Sequence, residues 1–336
     1  MAVSERFGAA RALLEGAVGA VYPAAELLVV DGGEPVLSLR AGDCGPGTVF
    51  DLASLTKPLC TTTLVMRHLE AGRMSLGDEL RPGVTVRLAL CHASGLPAWR
   101  PYFQLLAGAA DGHAAVIAAA RAEPLERPPG ERSVYSDLGF LLLGDAVERV
   151  GGAPLDAQWR ALGLSAATFH PDPAACAPTE GGLRGVVHDD TARFMGPGVG
   201  GHAGLFGDAA AVAAVTLELL AAWRGEAGRV VAAETVRRFF APAGIAGSSW
   251  CLGWDRPSAS GYSSAGGRWP RDGVGHTGFT GTSLWVDPAR DRFVVLLSNR
   301  VHPGRDNDAI RGFRPRLHDA VLSALDEGAV GSPGHA

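Results

Sequence analysis

The distribution of strand-forming segments along the chain constrains its fold most strongly. Near the amino end, residues 25–42 contain two short apolar runs joined by Asp31-Gly32-Gly33, a pattern typical of a β-hairpin. Near the carboxyl end, residues 281–300 contain two further apolar runs around Asp287-Pro288, and a helical pattern follows over about 308–325. We therefore predict one antiparallel sheet built from both ends of the chain, with the last helix packed on it.

The segment between these ends is mainly helical. Residues 136–152 and 207–225 have helical patterns that end at glycines, and a mostly buried helix is expected from about Ala53 to Gly72. The sequence thus predicts an α+β fold formed as a single unit over 1–336. Its α/β part covers about 1–60 and 245–330, and its inserted, mainly helical part covers about 60–245.

Composition limits the classes of partner. The chain has 336 residues, of which 47% are hydrophobic and 19% charged, and its formal net charge is -5. This balance is typical of a globular protein and gives no basic surface for nucleic acid. Charged residues interrupt the apolar amino-terminal region, and no uncharged run reaches the roughly 18 residues of a membrane span. We expect a cytoplasmic protein with a small-molecule substrate, no nucleic-acid partner and no membrane partner; the oligomeric state is open.

The metal-binding residue types are scattered. The five cysteines never form a C-x-x-C pair, and the ten histidines include no H-E-x-x-H pattern. Such spacing favours buried thiols in a reducing compartment over disulfides or a zinc site. We expect no metal.

Lys57 is the single lysine of the chain. The other 29 of its 30 Lys and Arg residues are arginine. It follows Thr56 and precedes Pro58, which excludes a Walker A loop. Ser54 lies three residues earlier, so on a helix the two side chains share a face. An arginine does not deprotonate in proteins, whereas a buried lysine can. Lys57 could therefore carry a pyridoxal phosphate Schiff base or could activate the Ser54 hydroxyl as a neutral amine.

Three motifs in order resemble a known superfamily. "SLTK" (54–57), "YSD" (135–137) and "HTG" (276–278) are similar to the S-x-x-K, Y-x-N and K-T-G or H-T-G motifs of serine β-lactamases and penicillin-binding proteins. The surrounding segments resemble the class C β-lactamase-like hydrolases over about residues 20–325. The resemblance implies a β-lactamase/transpeptidase-like fold.

The resemblance also implies a mechanism. Ser54 would be the nucleophile, and Lys57 and Tyr135 would share the role of base, with the pKa of Tyr135 lowered by Lys57. The backbone NH groups of Ser54 and Phe279 would bind the oxyanion. In the strand carrying the third motif, Gly278 and Gly281 would let the backbone approach a substrate closely. The residues expected to contact the oxyanion or substrate are Phe279, Asp137, His276, Thr277, Gly278 and His202.

Two positions depart from the family pattern. Asp137 replaces an asparagine, and it could hold Lys57 protonated, could cap the following helix, or could do both. His276 replaces a lysine and is neutral more often at pH 7, so it would bind a substrate carboxylate less strongly. H-T-G is found in esterase-like and D-amino-acid peptidase members at least as much as in true β-lactamases.

Aromatic residues and other histidines offer further candidates. Trp99, Tyr102 and Phe103 could form a local cluster or an aromatic wall of the cleft. His202 and His188 flank a glycine-rich segment that resembles a loop at the rim of the cleft.

We therefore expect a cofactor-free serine hydrolase that acylates Ser54 and hydrolyses an ester, a D-amino-acid peptide or a β-lactam. Fold analogy does not choose among these substrates. The alternatives are a pyridoxal phosphate enzyme that uses Lys57 and a catalytically inactive scaffold of the same fold.

Overall fold

A computed structural model describes residues 6–330, with side chains for 6–327. Residues 1–5 and 331–336 of the expected unit lie outside the described residues.

Both ends of the chain contribute to one five-stranded antiparallel sheet with the order β2-β1-β9-β8-β7. The strands are β1 (Ala24–Asp31), β2 (Glu34–Gly42), β7 (Val274–Thr277), β8 (Ser283–Asp287) and β9 (Arg292–Ser298). The amino-terminal strand β1 pairs directly with β9, so the predicted α+β arrangement is confirmed. Strand β7, which carries the third motif, forms one edge of the sheet.

The turn of the first hairpin is the one that the sequence predicts. Gly32 and Gly33 both have positive φ angles, of 61° and 82°. A two-residue turn of this kind matches the twist of the adjoining strands, and glycine adopts it at little cost.

Two helices cover one face of the sheet, and the helix Ala209–Arg224 packs against the opposite face. Helices α1 (Gly8–Gly16) and α11 (Ile310–Val330) pack together and share an apolar cluster that includes Leu14, Phe313 and Val321. The larger core on the other side joins sheet residues such as Val295 to the helical region.

The helical region contains α2 to α10 and two small strand pairs. The helices are α2 (Thr63–Glu70), α3 (Val86–Leu90), α4 (Tyr102–Leu105), α5 (Gly112–Ala122), α6 (Asp137–Gly151), α7 (Leu155–Leu162), α8 (Asp190–Phe194), α9 (Ala209–Arg224) and α10 (Ala233–Phe240). The strand pairs are β3 (Phe50–Asp51) with β6 (Phe206–Gly207) and β4 (Glu79–Arg81) with β5 (Val84–Thr85).

Capping residues delimit the two long predicted helices. Ser136 accepts a hydrogen bond from a backbone NH of α6, and Asp208 does the same for α9. Gly152 and Gly225 end these helices with positive φ angles. Both predicted helices are confirmed. Side-chain acceptors at the start of a helix and left-handed glycines at its end are strong local signals.

The segment around Lys57 differs from the regular helix that we expected. A 3-10 turn over Ala53–Leu55 and a π-helical stretch over Lys57–Thr62 precede α2. Pro58 has no NH to donate to the carbonyl of Ser54, so regular α-helical bonding is broken there. Ala53 also has a positive φ of 48°, which is uncommon for a residue with a Cβ atom. Irregular helical geometry of this kind is frequent at functional sites.

No helix within residues 6–330 is long and apolar enough to cross a lipid bilayer.

Candidate active site

The three motifs meet at one cleft of about 800 Å³. Ser54 lies in its wall, together with Tyr135 and Asp137 from the second motif and His276 from the third. The cleft is bordered by the β7 edge of the sheet, by the start of α6 and by loops on either side.

Ser54 is held by the two residues that were expected to activate it. The Lys57 ammonium Nζ lies 2.9 Å from Ser54 Oγ, and the Tyr135 hydroxyl oxygen lies 2.8 Å from the same atom. Both distances are within hydrogen-bonding range, as a nucleophile and its base require. The arrangement can move a proton from the serine toward the Lys57–Tyr135 pair.

Lys57 is completely buried, and three oxygens surround its ammonium group. Besides Ser54 Oγ, these are the backbone carbonyl oxygen of His202 at 2.9 Å and Asp137 Oδ1 at 2.7 Å. Burial on its own lowers the pKa of Lys57, but the neighbouring Asp137 and Tyr135 outweigh it, and the pKa lies above the usual value. Lys57 is therefore a charged ammonium at rest. This agrees with the possibility that Asp137 holds Lys57 protonated and differs from the neutral amine also considered from the sequence.

The pKa of Tyr135 is raised, contrary to the expectation that Lys57 would lower it. Burial is the main cause, and the negative charge of Asp137 adds to it. The positive charge of Lys57 opposes this rise without reversing it. Tyr135 thus carries its phenolic proton at rest, and the sequence-based expectation was wrong because it left out burial and Asp137.

Asp137 contacts Lys57 and does not cap α6. The capping side chain is that of Ser136, and Asp137 is the first residue inside the helix. Of the two roles considered from the sequence, the cap is wrong and the Lys57 contact is present. The Asp137 side chain is 19% exposed and forms part of the cleft wall.

His276 is buried beside the cleft in its neutral form. Its Nδ1 lies 2.8 Å from the Thr277 carbonyl oxygen, to which it can donate. Burial, with the charge of Lys57 as a second cause, lowers the pKa of His276 to about 3. His276 therefore supplies no positive charge at neutral pH. Thr277 and Gly278 continue the same wall.

The two glycines beyond this motif are required by contacts within the protein. A Cβ atom on Gly278 would lie 2.7 Å from the Leu52 carbonyl oxygen, and one on Gly281 would lie 2.1 Å from Ser298 Oγ. Gly281 also has a φ of +107°. Close approach of neighbouring protein atoms thus leaves no room for a side chain at either position, and the expected approach of a substrate to this backbone stays a prediction.

The His202 side chain does not contact the cleft, so its expected role in substrate contact is not met. It is 2% exposed, and its Nε2 lies 2.9 Å from Asp189 Oδ1. Its backbone carbonyl oxygen accepts a hydrogen bond from Lys57 instead. His188, in the same glycine-rich segment, does line the cleft.

Two exposed aromatic residues line the cleft. Phe279 is 50% exposed, lies with its ring 5.7 Å from that of His188, and has the Arg300 guanidinium 4.4 Å from its ring centroid. Trp99 is 47% exposed. Tyr102 is buried, and its hydroxyl donates a hydrogen bond to Glu123. Of the three aromatic residues Trp99, Tyr102 and Phe103, only Trp99 lines the cleft.

Sequence reasoning missed several residues of the cleft wall, among them Trp250, Asp255 and Arg311. Trp250 lies between His92 and His276, with ring centroids 4.2 and 5.6 Å away. None of the three belongs to a short motif, so the sequence offered no local signal for them.

The described part of the chain contains neither a metal centre nor a lysine that is accessible to a cofactor. Within residues 6–330, no group of three or more His, Cys, Asp or Glu side chains could hold a metal ion. Lys57 has no exposed surface and is enclosed by protein oxygens, so its geometry argues against a Schiff base with pyridoxal phosphate.

The chain matches known proteins over most of its length. A sequence model of the family described as "Beta-lactamase" matches residues 10–314. A "Putative D-alanyl-D-alanine carboxypeptidase" of Escherichia coli (strain K12) is 31% identical, over 76% of this chain and 70% of the relative. A relative of the same description from Escherichia coli O157:H7 is 29% identical, over 85% of this chain and 80% of its own length.

Among solved structures, "EstCE1, a hydrolase with promiscuous acyltransferase activity" has a TM-score of 0.73 at 19% identity, covering 95% of this chain and 98% of that chain. The structural similarity therefore covers nearly the whole fold. The chain belongs to the β-lactamase family, and it is a serine hydrolase of the β-lactamase and penicillin-binding-protein type with the corresponding α+β fold.

Proposed function

We propose that this protein forms an acyl-enzyme at Ser54 and then hydrolyses it. The observation that carries the proposal is the double contact of Ser54 Oγ, with Lys57 Nζ at 2.9 Å and the Tyr135 hydroxyl at 2.8 Å. A serine hydroxyl is a weak nucleophile until a neighbouring base accepts its proton, and here both candidate partners are already in contact with it. This complete arrangement also argues against an inactive scaffold.

Tyr135 transfers the proton in this proposal, and Lys57 supports it. The active form is one in which the Lys57–Tyr135 pair has lost one proton, leaving a phenolate beside the Lys57 ammonium. The phenolate takes the Ser54 proton as Oγ attacks the carbonyl carbon, and Tyr135 then gives that proton to the leaving group as the old bond breaks. In deacylation a water molecule attacks, its proton passes to Tyr135, and the returning Ser54 oxygen regains a proton.

The developing oxyanion would be bound by the backbone NH groups of Ser54 and Phe279. Both residues line the cleft, which supports this assignment. Donors of this kind are worth about 3 to 4 kcal/mol each to the transition state.

The substrate that we propose is a peptide or related amide that ends in a D-amino acid. The two Escherichia coli relatives carry the name of such a peptidase. The carboxylate of the terminal residue needs a cation, and neutral His276 does not provide one. Arg311 is exposed, lines the cleft and forms no ion pair with any carboxylate in the described range, so it is available for this role. An ester substrate is the second candidate, since EstCE1 shares the fold.

Covalent labelling tests the mechanism. The protein is incubated with a fluorophosphonate or a labelled penicillin and digested, and the modified peptide is located by mass spectrometry. Label on Ser54 supports the proposal, and label elsewhere, or none from either probe, contradicts it. Release of D-alanine from an acylated D-Ala-D-Ala peptide, compared with hydrolysis of p-nitrophenyl acetate and a chromogenic cephalosporin, then ranks the three substrate classes.

A further inference from the structure

Asp255 is a partly buried carboxylate of the cleft wall for which the proposed reaction has no use. Its Oδ1 accepts hydrogen bonds from the Ser249 hydroxyl at 2.6 Å and from the Arg256 backbone NH at 2.9 Å. Both contacts go to the same oxygen, and Oδ2 has no partner among the described residues. The side chain is therefore fixed in place while one oxygen is left for a ligand.

The charge of Asp255 is not balanced within the part of the chain that the structure covers. Other carboxylates of the cleft either face a basic group or are well solvated. The paired ones are Asp137 with Lys57 at 2.7 Å, Asp189 with His202 at 2.9 Å and Asp190 with Arg305 at 3.2 Å. Asp308 is exposed to solvent. Asp255 has neither compensation, and burial raises its pKa above the usual range. A cation brought by a ligand would relieve this cost.

The backbone places Asp255 next to the reaction centre. Asp255 and Gly275 exchange two backbone hydrogen bonds of 2.8 Å, and Gly275 directly precedes His276. The Ser249 that holds the carboxylate is followed by Trp250, whose ring centroid lies 5.7 Å from that of Tyr135. The carboxylate thus belongs to the same wall as the residues that contact Ser54.

We propose that Asp255 is a specificity-determining residue that binds an ammonium group of the substrate, through its unpartnered Oδ2 at the wall of the Ser54 cleft. This inference rests on the proposed function, because the ammonium group must belong to a molecule that acylates Ser54. The substrate is then expected to carry a positive charge, whichever of its bonds is cleaved.

Two matched pairs of esters test the inference. In the first pair the ammonium lies in the acyl part: D-alanine p-nitrophenyl ester against its N-acetyl derivative. In the second it lies in the leaving group: 4-(aminomethyl)phenyl acetate against 4-methylphenyl acetate. Each kcat/KM is divided by the rate of spontaneous hydrolysis of that ester, so that intrinsic reactivity does not enter the comparison.

The wild-type enzyme is expected to prefer the cationic member of at least one pair by about 10-fold or more, as for a hydrogen bond between charged groups. Asp255→Asn keeps an acceptor for Ser249 and the Arg256 NH but removes the charge, and it should abolish that preference. Equal rates for both members of both pairs in the wild type, or a preference that persists in the variant, would overturn the inference.

Labelling separates the two possible failures. If fluorophosphonate does not label Ser54 in the wild type, the proposed function fails. If Ser54 is labelled but the preference is absent or unchanged by the substitution, the role of Asp255 alone is wrong. If Asp255→Asn does not fold, as judged by its thermal melt, Asp255→Ser takes its place: loss of the preference supports the inference, and a preference that persists overturns it.

Discussion

The buried Lys57 and the partly exposed Asp137 form an ion pair beside the candidate nucleophile, with Nζ 2.7 Å from Oδ1. Asp137 occupies the position where the family pattern has a neutral asparagine. Its negative charge raises the pKa of both Lys57 and Tyr135, and the loss of one proton from these two residues is the step that prepares Ser54 in the proposed mechanism.

Replacing Asp137 with asparagine should move the pH dependence of acylation to lower pH. A group with a raised pKa loses its proton only at higher pH, so Asp137 places the acid limb of the profile high. Asp137→Asn removes the negative charge and lowers both pKa values. The measurement is the rate of fluorophosphonate labelling of Ser54 from pH 5 to 9. An acid limb that stays in place, or moves upward, would contradict the role given to Asp137.

Removing the Tyr135 hydroxyl should slow acylation strongly without disturbing the fold. Tyr135→Phe keeps the ring, which packs 4.6 Å from the His92 ring, and deletes the atom that contacts Ser54 Oγ. We expect a loss of about 10² to 10⁴ in the labelling rate, as for a general acid or base. The melting temperature serves as the control. A rate within a few-fold of the wild type would remove Tyr135 from the proton path.

Lys57→Arg should abolish acylation although it keeps the charge. The larger, planar guanidinium does not reproduce the three oxygen contacts of Nζ, so the Tyr135 phenolate would lose the ammonium that supports it in the proposed mechanism. Intact-mass spectrometry after incubation with labelled penicillin reports the covalent product, and circular dichroism reports the fold. A folded variant that is acylated at the wild-type rate would show that the single lysine of this chain is not required for the chemistry.

His318 should make the protein less stable in mild acid. Burial lowers its pKa to about 4, whereas an unfolded histidine titrates near 6.5. Below about pH 6.5 the unfolded chain binds a proton that the folded chain does not, so the stability present above that pH is lost as the pH falls toward 4.

His318→Gln removes this term. Between pH 7 and pH 5 the free energy of unfolding should fall by about 2 kcal/mol more in the wild type than in the variant. Urea unfolding at the two pH values measures both changes, and other titrating groups cancel in the comparison. Equal changes in the two proteins would exclude the effect.

Gly144 should be required for the position of the loop that holds Lys57. A Cβ atom on Gly144 in α6 would lie 2.9 Å from Gly201 Cα, and the next residue, His202, provides a carbonyl oxygen to Lys57. Gly144→Ala should cost about 1 to 3 kcal/mol of stability by overpacking and should slow labelling of Ser54.

Gly139→Ala is the matched control in the same helix. Its Cβ would make an ordinary contact, 3.5 Å from the Ala89 Cβ, so the better helix propensity of alanine should keep the protein as stable or stabilise it by up to about 1 kcal/mol. Chemical unfolding and Ser54 labelling of both variants separate the effect of the Gly144–Gly201 contact from the effect of helix propensity. Equal effects of the two substitutions would show that the approach of Gly144 to Gly201 is unimportant.

Local patterns in the sequence predicted the framework well. The Gly32-Gly33 turn, the glycines Gly152 and Gly225 that end two helices, and the strands around Asp287-Pro288 depend on residues that are neighbours in the chain. The ordered motifs at Ser54, Tyr135 and His276 predicted the family because each motif is short and contiguous.

The failures concern properties that arise from distant parts of the chain. The pKa direction of Tyr135 depends on its burial and on Asp137, and the role of His202 depends on which face of its loop meets Lys57. A further property that no spacing reveals is the close approach of Leu52 and Ser298 to Gly278 and Gly281.

The sequence by itself determined the α+β framework and the family, and it selected Ser54, Lys57 and Tyr135 as candidate catalytic residues, because these follow from hydrophobic periodicity, local hydrogen bonding and contiguous motifs. Tertiary structure decided the protonation of Lys57, the neutral state of His276 and the unbalanced charge of Asp255. Those properties depend on burial and on charges brought together from remote segments, and electrostatic energy depends on distance and solvent exposure, which are not encoded in any single stretch of chain.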